Sequence, residues 1–347
     1  MGKKEINIGL FTSVYSYFLY LLLKGYDEND IIIVHNTFPK EISKNINPII
    51  VPIVTFKDGG IKQSIANVGI KQMIKGFSKY LFNYLKLRII LFYKTFNKNI
   101  AVYGHAFSLY AFMFYENKNS NIIEDGLTNY TEPICETHKI NPIIDFILHI
   151  FGSYFINLCE TYGSHKNIRN VYLTRENNHP LIKDKVKVVN MDTLWNGLNN
   201  EEQDKILKIF NINLEDFNFE DETVLILTQP LYEDGYLSLD DELEIYQNII
   251  TKFKNKTIII KPHPRDPKDY NKIFPNVKII DKNFPIEMLN LINIYPDIAC
   301  TVVSYGILSF KNTKLYIYNK KLKNKDLIMA RKGLLEKIRE NNLKLIS

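Results

Sequence analysis

Short apolar runs alternate with longer segments of helical period along the whole chain. Ile6–Phe11 reads as a strand, Tyr15–Leu23 as a helix, Asp30–Val34 as a second strand and Ile49–Thr55 as a third. Helices are predicted through 65–95, then a strand at Asn99–Tyr103, a short helix at Phe107–Tyr115 and a strand at Asn121–Ile123. An apolar helix is predicted over 141–158, with short strands at Val171–Thr174 and Val186–Val189. Alternation of this kind builds a parallel α/β sheet.

The second half repeats the pattern. Strands are predicted at Val224–Leu227, Thr257–Ile260, Val277–Ile280, Ile298–Val303 and Leu315–Tyr318, with helices at Leu239–Phe253, Pro285–Ile292 and Leu327–Asn341. The stretch 175–220 is polar and mixed, and the domain boundary is placed within it. The reading is two tandem α/β domains, 1–190 and 191–347, facing a central cleft.

Composition narrows the class. Apolar residues make up 46% of 347, ample for two cores, and no apolar run reaches the length of a membrane span. The chain runs from Met-Gly-Lys-Lys straight into a strand, so no signal peptide is expected. Cys135, Cys159 and Cys300 are scattered and odd in number, which predicts a reduced, cytoplasmic chain.

The net charge of +6 is uneven: residues 1–116 hold 14 Lys/Arg against 7 Asp/Glu, a local +7, which leaves −1 for the rest. No acidic residue lies between Asp58 and Glu116. There, over 62–98, lysines interleave with aromatic and aliphatic residues. Two readings stay open: an ordinary pair of helices with a solvated lysine face, or a surface drawn to an anionic membrane. Nucleic acid is not expected.

The densest chemistry is Lys261-Pro262-His263-Pro264-Arg265, directly after an apolar strand. Ligands of open α/β sheets bind outside the carboxyl ends of strands, so a cationic, imidazole-bearing strand end suits an anion. Glu124-Asp125-Gly126 and Glu233-Asp234-Gly235 each follow a strand-like run, and Thr301-Val302-Val303-Ser304 closes another. Asp125 and Asp234 are candidate bases, Thr301 and Ser304 candidate phosphate ligands, and Glu287 a candidate for a ribose diol. A dinucleotide fingerprint, a P-loop and any Asp-x-Asp are absent, so no metal-clamped nucleotide diphosphate is expected.

These motifs, in this order, resemble the acidic, His-Pro and Ser/Thr motifs of bacterial sialyltransferases, and most closely glycosyltransferase family 52. The segment Thr228-Gln229-Pro230-Leu231-Tyr232-Glu233-Asp234-Gly235 is similar to that family as well. The resemblance implies a GT-B fold of two Rossmann-like domains, CMP-sialic acid as donor, a galactose-terminated glycan of lipooligosaccharide or capsule as acceptor, α-2,3 linkage, inversion and no cofactor or metal. It implies that an acidic-motif Asp takes the acceptor proton and that His263 stabilises the departing CMP phosphate. CMP would be held by Glu287 and the Ser304 region, with Glu124, Gly126, Lys261, Pro264, Arg265 and Thr301 around the substrates. Of the two bases Asp234 is preferred, because it lies near His263 in sequence. The chain would work at the inner face of the membrane. The rival readings are another CMP- or CDP-dependent transferase and a non-catalytic glycan-assembly subunit.

Overall fold

The apolar runs become the strands of two parallel sheets in the computed structural model, which describes residues 5–52, 70–105, 110–130, 163–217, 222–310, 312–318 and 322–346. The first sheet holds β1 (Glu5–Phe11), β2 (Ile31–His35), β3 (Ile49–Val51), β4 (Asn99–Gly104), β5 (Ser120–Ile123), β6 (Ile168–Leu173) and β7 (Val186–Val188), in the order β3-β2-β1-β4-β5-β6-β7. The second holds β8 (Thr223–Leu227), β9 (Thr257–Lys261), β10 (Lys278–Ile279), β11 (Ile298–Thr301), β12 (Lys314–Ile317) and β13 (Leu345–Ile346), in the order β10-β9-β8-β11-β12-β13. Every pairing among the described residues is parallel. Strands covered on both faces read as unbroken apolar runs. β2 and β8 show this, with every residue buried.

The chain divides into two units, Met1–Ile209 and Phe210–Ser347. Two helices beyond residue 190, Met191–Gly197 and Asn200–Ile209, stay with the first unit. The Asn45 amide donates to the carbonyls of Lys208 (3.2 Å) and Ile209 (2.9 Å), which closes the end of the second of them. In the first unit the core lies between Ile6, Ile8, Leu10, Ile33 and Val102 of the sheet and Tyr80, Tyr84, Leu87 and Leu91 of the helix Ile70–Thr95. That helix is continuous from Ile70 to Thr95. In the second unit Val224, Ile226, Ile258, Ile260 and Cys300 pack against Ile245, Tyr246 and Ile249 of the helix Leu239–Lys252. Ser238 caps that helix, and Asp240, Asp241 and Glu242 complement its positive end.

The helix predicted over 141–158, the start of the basic segment at 62–69, part of the helix predicted from Phe107, and Cys135 and Cys159 lie outside the described residues.

Candidate functional site

Strand order reverses between β8 and β11 in the second sheet and between β1 and β4 in the first. These are the switch points where open parallel sheets bind ligands. In the second unit, Thr228 follows β8, Lys261 ends β9 with His263 two residues on, and Thr301 ends β11 just ahead of Ser304.

His263 is held from two sides. Its backbone N–H donates to the Thr228 hydroxyl (3.1 Å), and its Nδ1 accepts from the Arg265 backbone N–H (3.2 Å). Burial, reinforced by the Arg265 and Lys261 cations, lowers its pKa to about 4. The ring is therefore neutral at pH 7. With Nδ1 accepting, the single proton resides on Nε2, which becomes a directed donor.

Lys261 is buried with its ammonium 4.5 Å from the centre of the Phe284 ring, and it donates to the Lys282 carbonyl (3.3 Å). Burial lowers its pKa to about 8, against the pull of Glu287 and Asp281. It remains largely charged at neutral pH and adds a fixed positive field beside His263. Pro264 and Arg265 are exposed. The Arg265 guanidinium grips both oxygens of Asp234, at 2.9 and 3.1 Å.

Beneath this loop lies a buried ionic knot. Lys268, its side chain 6% exposed, reaches Glu233 (2.7 Å), Glu242 (3.0 Å) and Asp266 (3.2 Å). Asp266 also accepts from the hydroxyls of Tyr270 (2.7 Å) and Thr228 (3.2 Å), and its backbone N–H donates to the His263 carbonyl (2.9 Å). The knot thus fixes both ends of the His-Pro turn.

Thr301 is buried, and its hydroxyl is fully engaged: it donates to the Leu227 carbonyl (3.0 Å) and accepts from the Ser304 N–H (3.0 Å). It shapes the turn that presents Ser304. The Ser304 side chain makes no capping bond to the short 3-10 helix Tyr305–Ser309. Glu287 opens the helix Glu287–Leu291 and accepts from Ser309 (3.4 Å).

A second cluster surrounds Asp125 at the carboxyl ends of the first sheet. Its carboxylate accepts from Thr12 (3.0 Å) and from the hydroxyl of Ser13, which also caps the helix Val14–Lys24. The Asp125 N–H donates to Asn129 (2.8 Å). His105 Nδ1 stands 3.8 Å from Asp125. Burial pushes both His105 and His35 below the usual imidazole range, while the Asp125 charge opposes that shift. Glu124 is buried and accepts from Tyr15 (3.2 Å), Tyr130 (2.6 Å) and both the N–H (2.6 Å) and hydroxyl (2.8 Å) of Thr174. It anchors the loop. Gly126 has φ +115°, a conformation that side-chain-bearing residues rarely adopt.

Comparison with known proteins decides the family. The pattern of Glycosyltransferase family 52 matches residues 42–326. The chain belongs to glycosyltransferase family 52. An uncharacterized protein of Haemophilus influenzae is 30% identical over 269 residues, covering 76% of this chain and 83% of that protein. Among solved structures, a 2,6-sialyltransferase of Photobacterium sp. JT-ISH-224, in complex with CMP and lactose, aligns with a TM-score of 0.60 at 11% identity, over 99% of this chain and 78% of that one. An α/β-galactoside α-2,3-sialyltransferase of Photobacterium phosphoreum aligns at 0.52 with 14% identity, over 99% and 98%. At such identities the likeness establishes the fold, a GT-B pair of Rossmann-like domains.

For a family 52 glycosyltransferase, the residues singled out in the sequence group by unit. Lys261, His263, Arg265, Asp234, Thr301, Ser304 and Glu287 lie in the second, and Glu124, Asp125 and Gly126 in the first. Thr12, Ser13, His35 and His105 beside Asp125, and Asp266 with Lys268 beneath His263, were not anticipated. Thr12, His35 and His105 end or directly follow strand runs, so the strand-end rule marks each as a candidate, but only the sheet order shows that they meet Asp125.

Proposed function

We propose that this glycosyltransferase moves a sialyl group from CMP-sialic acid to a hydroxyl of a galactose-terminated glycan of lipooligosaccharide or capsule, by α-2,3 linkage and with inversion. The observation that carries the reading is His263, held neutral with its Nε2–H free of the Arg265 contact, at the switch point of the second sheet. A leaving phosphate needs donors aimed at its developing charge.

The acceptor oxygen attacks the anomeric carbon. The bond from that carbon to the phosphate oxygen breaks, and its electron pair leaves with CMP. His263 donates a hydrogen bond to the phosphate, Lys261 adds its buried charge, Ser304 contacts a phosphate oxygen, and Glu287 accepts from the ribose diol. Fixed cations and N–H donors carry the charge stabilisation, so the reading requires no metal.

The acceptor proton goes to a carboxylate, and we assign that role to Asp125 rather than Asp234. Both Asp234 oxygens accept from the Arg265 guanidinium, a bidentate pairing that a base would have to give up. Asp125 accepts from two hydroxyls, which can rotate away as a proton arrives.

The test is CMP release and transfer with CMP-N-acetylneuraminate and lactose, in the presence of chelator. Activity in the wild type that is lost in His263→Ala supports the reading. Absence of CMP release together with absence of CMP binding overturns it in favour of another nucleotide donor.

A further inference from the structure

The helix Ile70–Thr95 carries two apolar faces. One holds Tyr80, Tyr84, Leu87 and Leu91 and is buried in the core of the first unit. The other holds Phe82 (67% exposed), Leu85, Ile89, Phe92 (61%), Tyr93 (76%) and, just past the helix, Phe96. At 3.6 residues per turn these six fall within an arc of about 100° on the side opposite the core. Phe92 packs with both Tyr93 and Phe96, with ring centres 5.8 and 5.6 Å apart. Phe92, Tyr93 and Phe96 thus form one continuous outward patch. A solvated helix face places charged residues there instead.

The surrounding charge identifies the occupant. Lys79 and Lys86 stand along one edge of the stripe, and Lys94 and Lys98 are exposed towards its end. Arg88, on the other edge, pairs with Glu116. From residue 59 to 115 the sequence contains no carboxylate. A second copy of this chain seated on the stripe would bring the same lysines to the seam with no acid from this segment to meet them. An anionic lipid surface takes both elements at once, the aromatic and aliphatic stripe entering the headgroup boundary and the lysines meeting the phosphates. Among the described residues no helix is long and apolar enough to cross a membrane. We propose that this face of the helix is a docking surface that lies on an anionic bilayer. The proposal stands apart from the sialyl-transfer reading, because it invokes neither nucleotide nor acceptor.

Vesicle flotation tests it, with full-length protein and two vesicle types, phosphatidylcholine alone and phosphatidylcholine mixed with phosphatidylglycerol. The wild type is expected to float with the mixed vesicles at low salt, to be released as salt rises, and to stay behind with phosphatidylcholine alone. The triple variant Phe92→Ser, Tyr93→Ser, Phe96→Ser is expected to weaken binding more than tenfold. Replacing Lys79, Lys86 and Lys94 by Glu is expected to weaken it by roughly a hundredfold or more. All six positions are exposed, so the circular dichroism spectrum should be unchanged, and the lysine variant keeps the test decisive if the aromatic one misfolds. The proposal is overturned if the wild type ignores anionic vesicles, or if both folded variants bind as the wild type does. It is also overturned if the aromatic variant converts a dimer to a monomer in sedimentation without changing vesicle binding, which would assign the face to a second copy.

Discussion

The backbone N–H of Arg265 donates to Nδ1 of His263 over 3.2 Å, and this contact sets the tautomer of the imidazole. Because burial and the two neighbouring cations lower the His263 pKa from 6.5 to about 4, the ring does not gain a proton in the free protein at neutral pH. An arriving phosphate adds negative charge and should raise that pKa. By NMR, the His263 ring is expected to titrate well below 6.5 without ligand and to move upward with CMP. The sign for stability follows. Between about 4 and 6.5 the unfolded chain binds the proton and the folded chain resists it, so this residue makes the fold less stable as pH drops through that window. His263→Gln should remove that component of the pH dependence. It should also lower kcat by about 10²- to 10³-fold, as losing an oriented donor does.

Asp125→Asn and Asp234→Asn should separate. Loss of a general base costs about 10²- to 10⁴-fold in kcat, and that loss is expected for Asp125→Asn with the donor KM little changed. Asp234→Asn breaks a partly exposed ion pair with Arg265, an interaction of about 1 kcal/mol or less. Its effect should stay within about tenfold and fall mainly on donor KM. A larger kcat loss in Asp234→Asn than in Asp125→Asn would return the base role to the second unit.

Parallel strands and their ends were legible because the signal is local: Thr257–Ile260 is apolar on both faces and stops at Lys-Pro-His-Pro. The partners of Asp125 were not. Thr12, His35 and His105 are single polar residues separated by long stretches of chain, and only the order β2-β1-β4-β5 brings them to one sheet edge. The knot around Lys268 was hidden for another reason. In sequence, Arg265-Asp266-Pro267-Lys268 reads as a solvated charged turn, and the burial of Asp266 and of the Lys268 side chain is imposed by Glu242 and Tyr270 from other elements. The helices Lys40–Ile46 and Asn200–Ile209 were missed because few of their positions are buried, Ile42 in the first and Ile206, Leu207 and Ile209 in the second. Thr301 looked like a ligand contact because a hydroxyl at a strand end can serve either substrate or backbone, and only the Leu227 and Ser304 distances show which.

Thr301→Val is therefore a probe of the turn. It leaves the Leu227 carbonyl without its donor and the Ser304 N–H without its acceptor, at similar side-chain volume. A buried polar group left unpaired costs about 1–3 kcal/mol, so a drop of that order is expected in urea unfolding. Ser304→Ala removes a hydroxyl that makes no capping bond and should leave stability unchanged while raising donor KM. Equal effects of both variants on stability would contradict the separation of roles.

Lys268→Met tests the buried knot. One ammonium serves Asp266, Glu233 and Glu242, and its removal leaves carboxylates buried without a cation. Breaking a buried pair in this way costs about 3–5 kcal/mol. Burial already raises the Glu242 pKa, and the Lys268 hydrogen bond opposes that rise, so the substitution should drive it higher still. A carboxyl whose folded pKa lies above its unfolded value favours the folded state increasingly as pH falls. The stability gap between Lys268→Met and wild type should accordingly narrow on going from pH 8 to pH 5, opposite in sign to the His263 contribution. Because Asp266 also holds the His263 carbonyl and Thr228, kcat should drop in the variant even where it remains folded. A pH-independent stability gap would show that the carboxylates find other donors when Lys268 is gone.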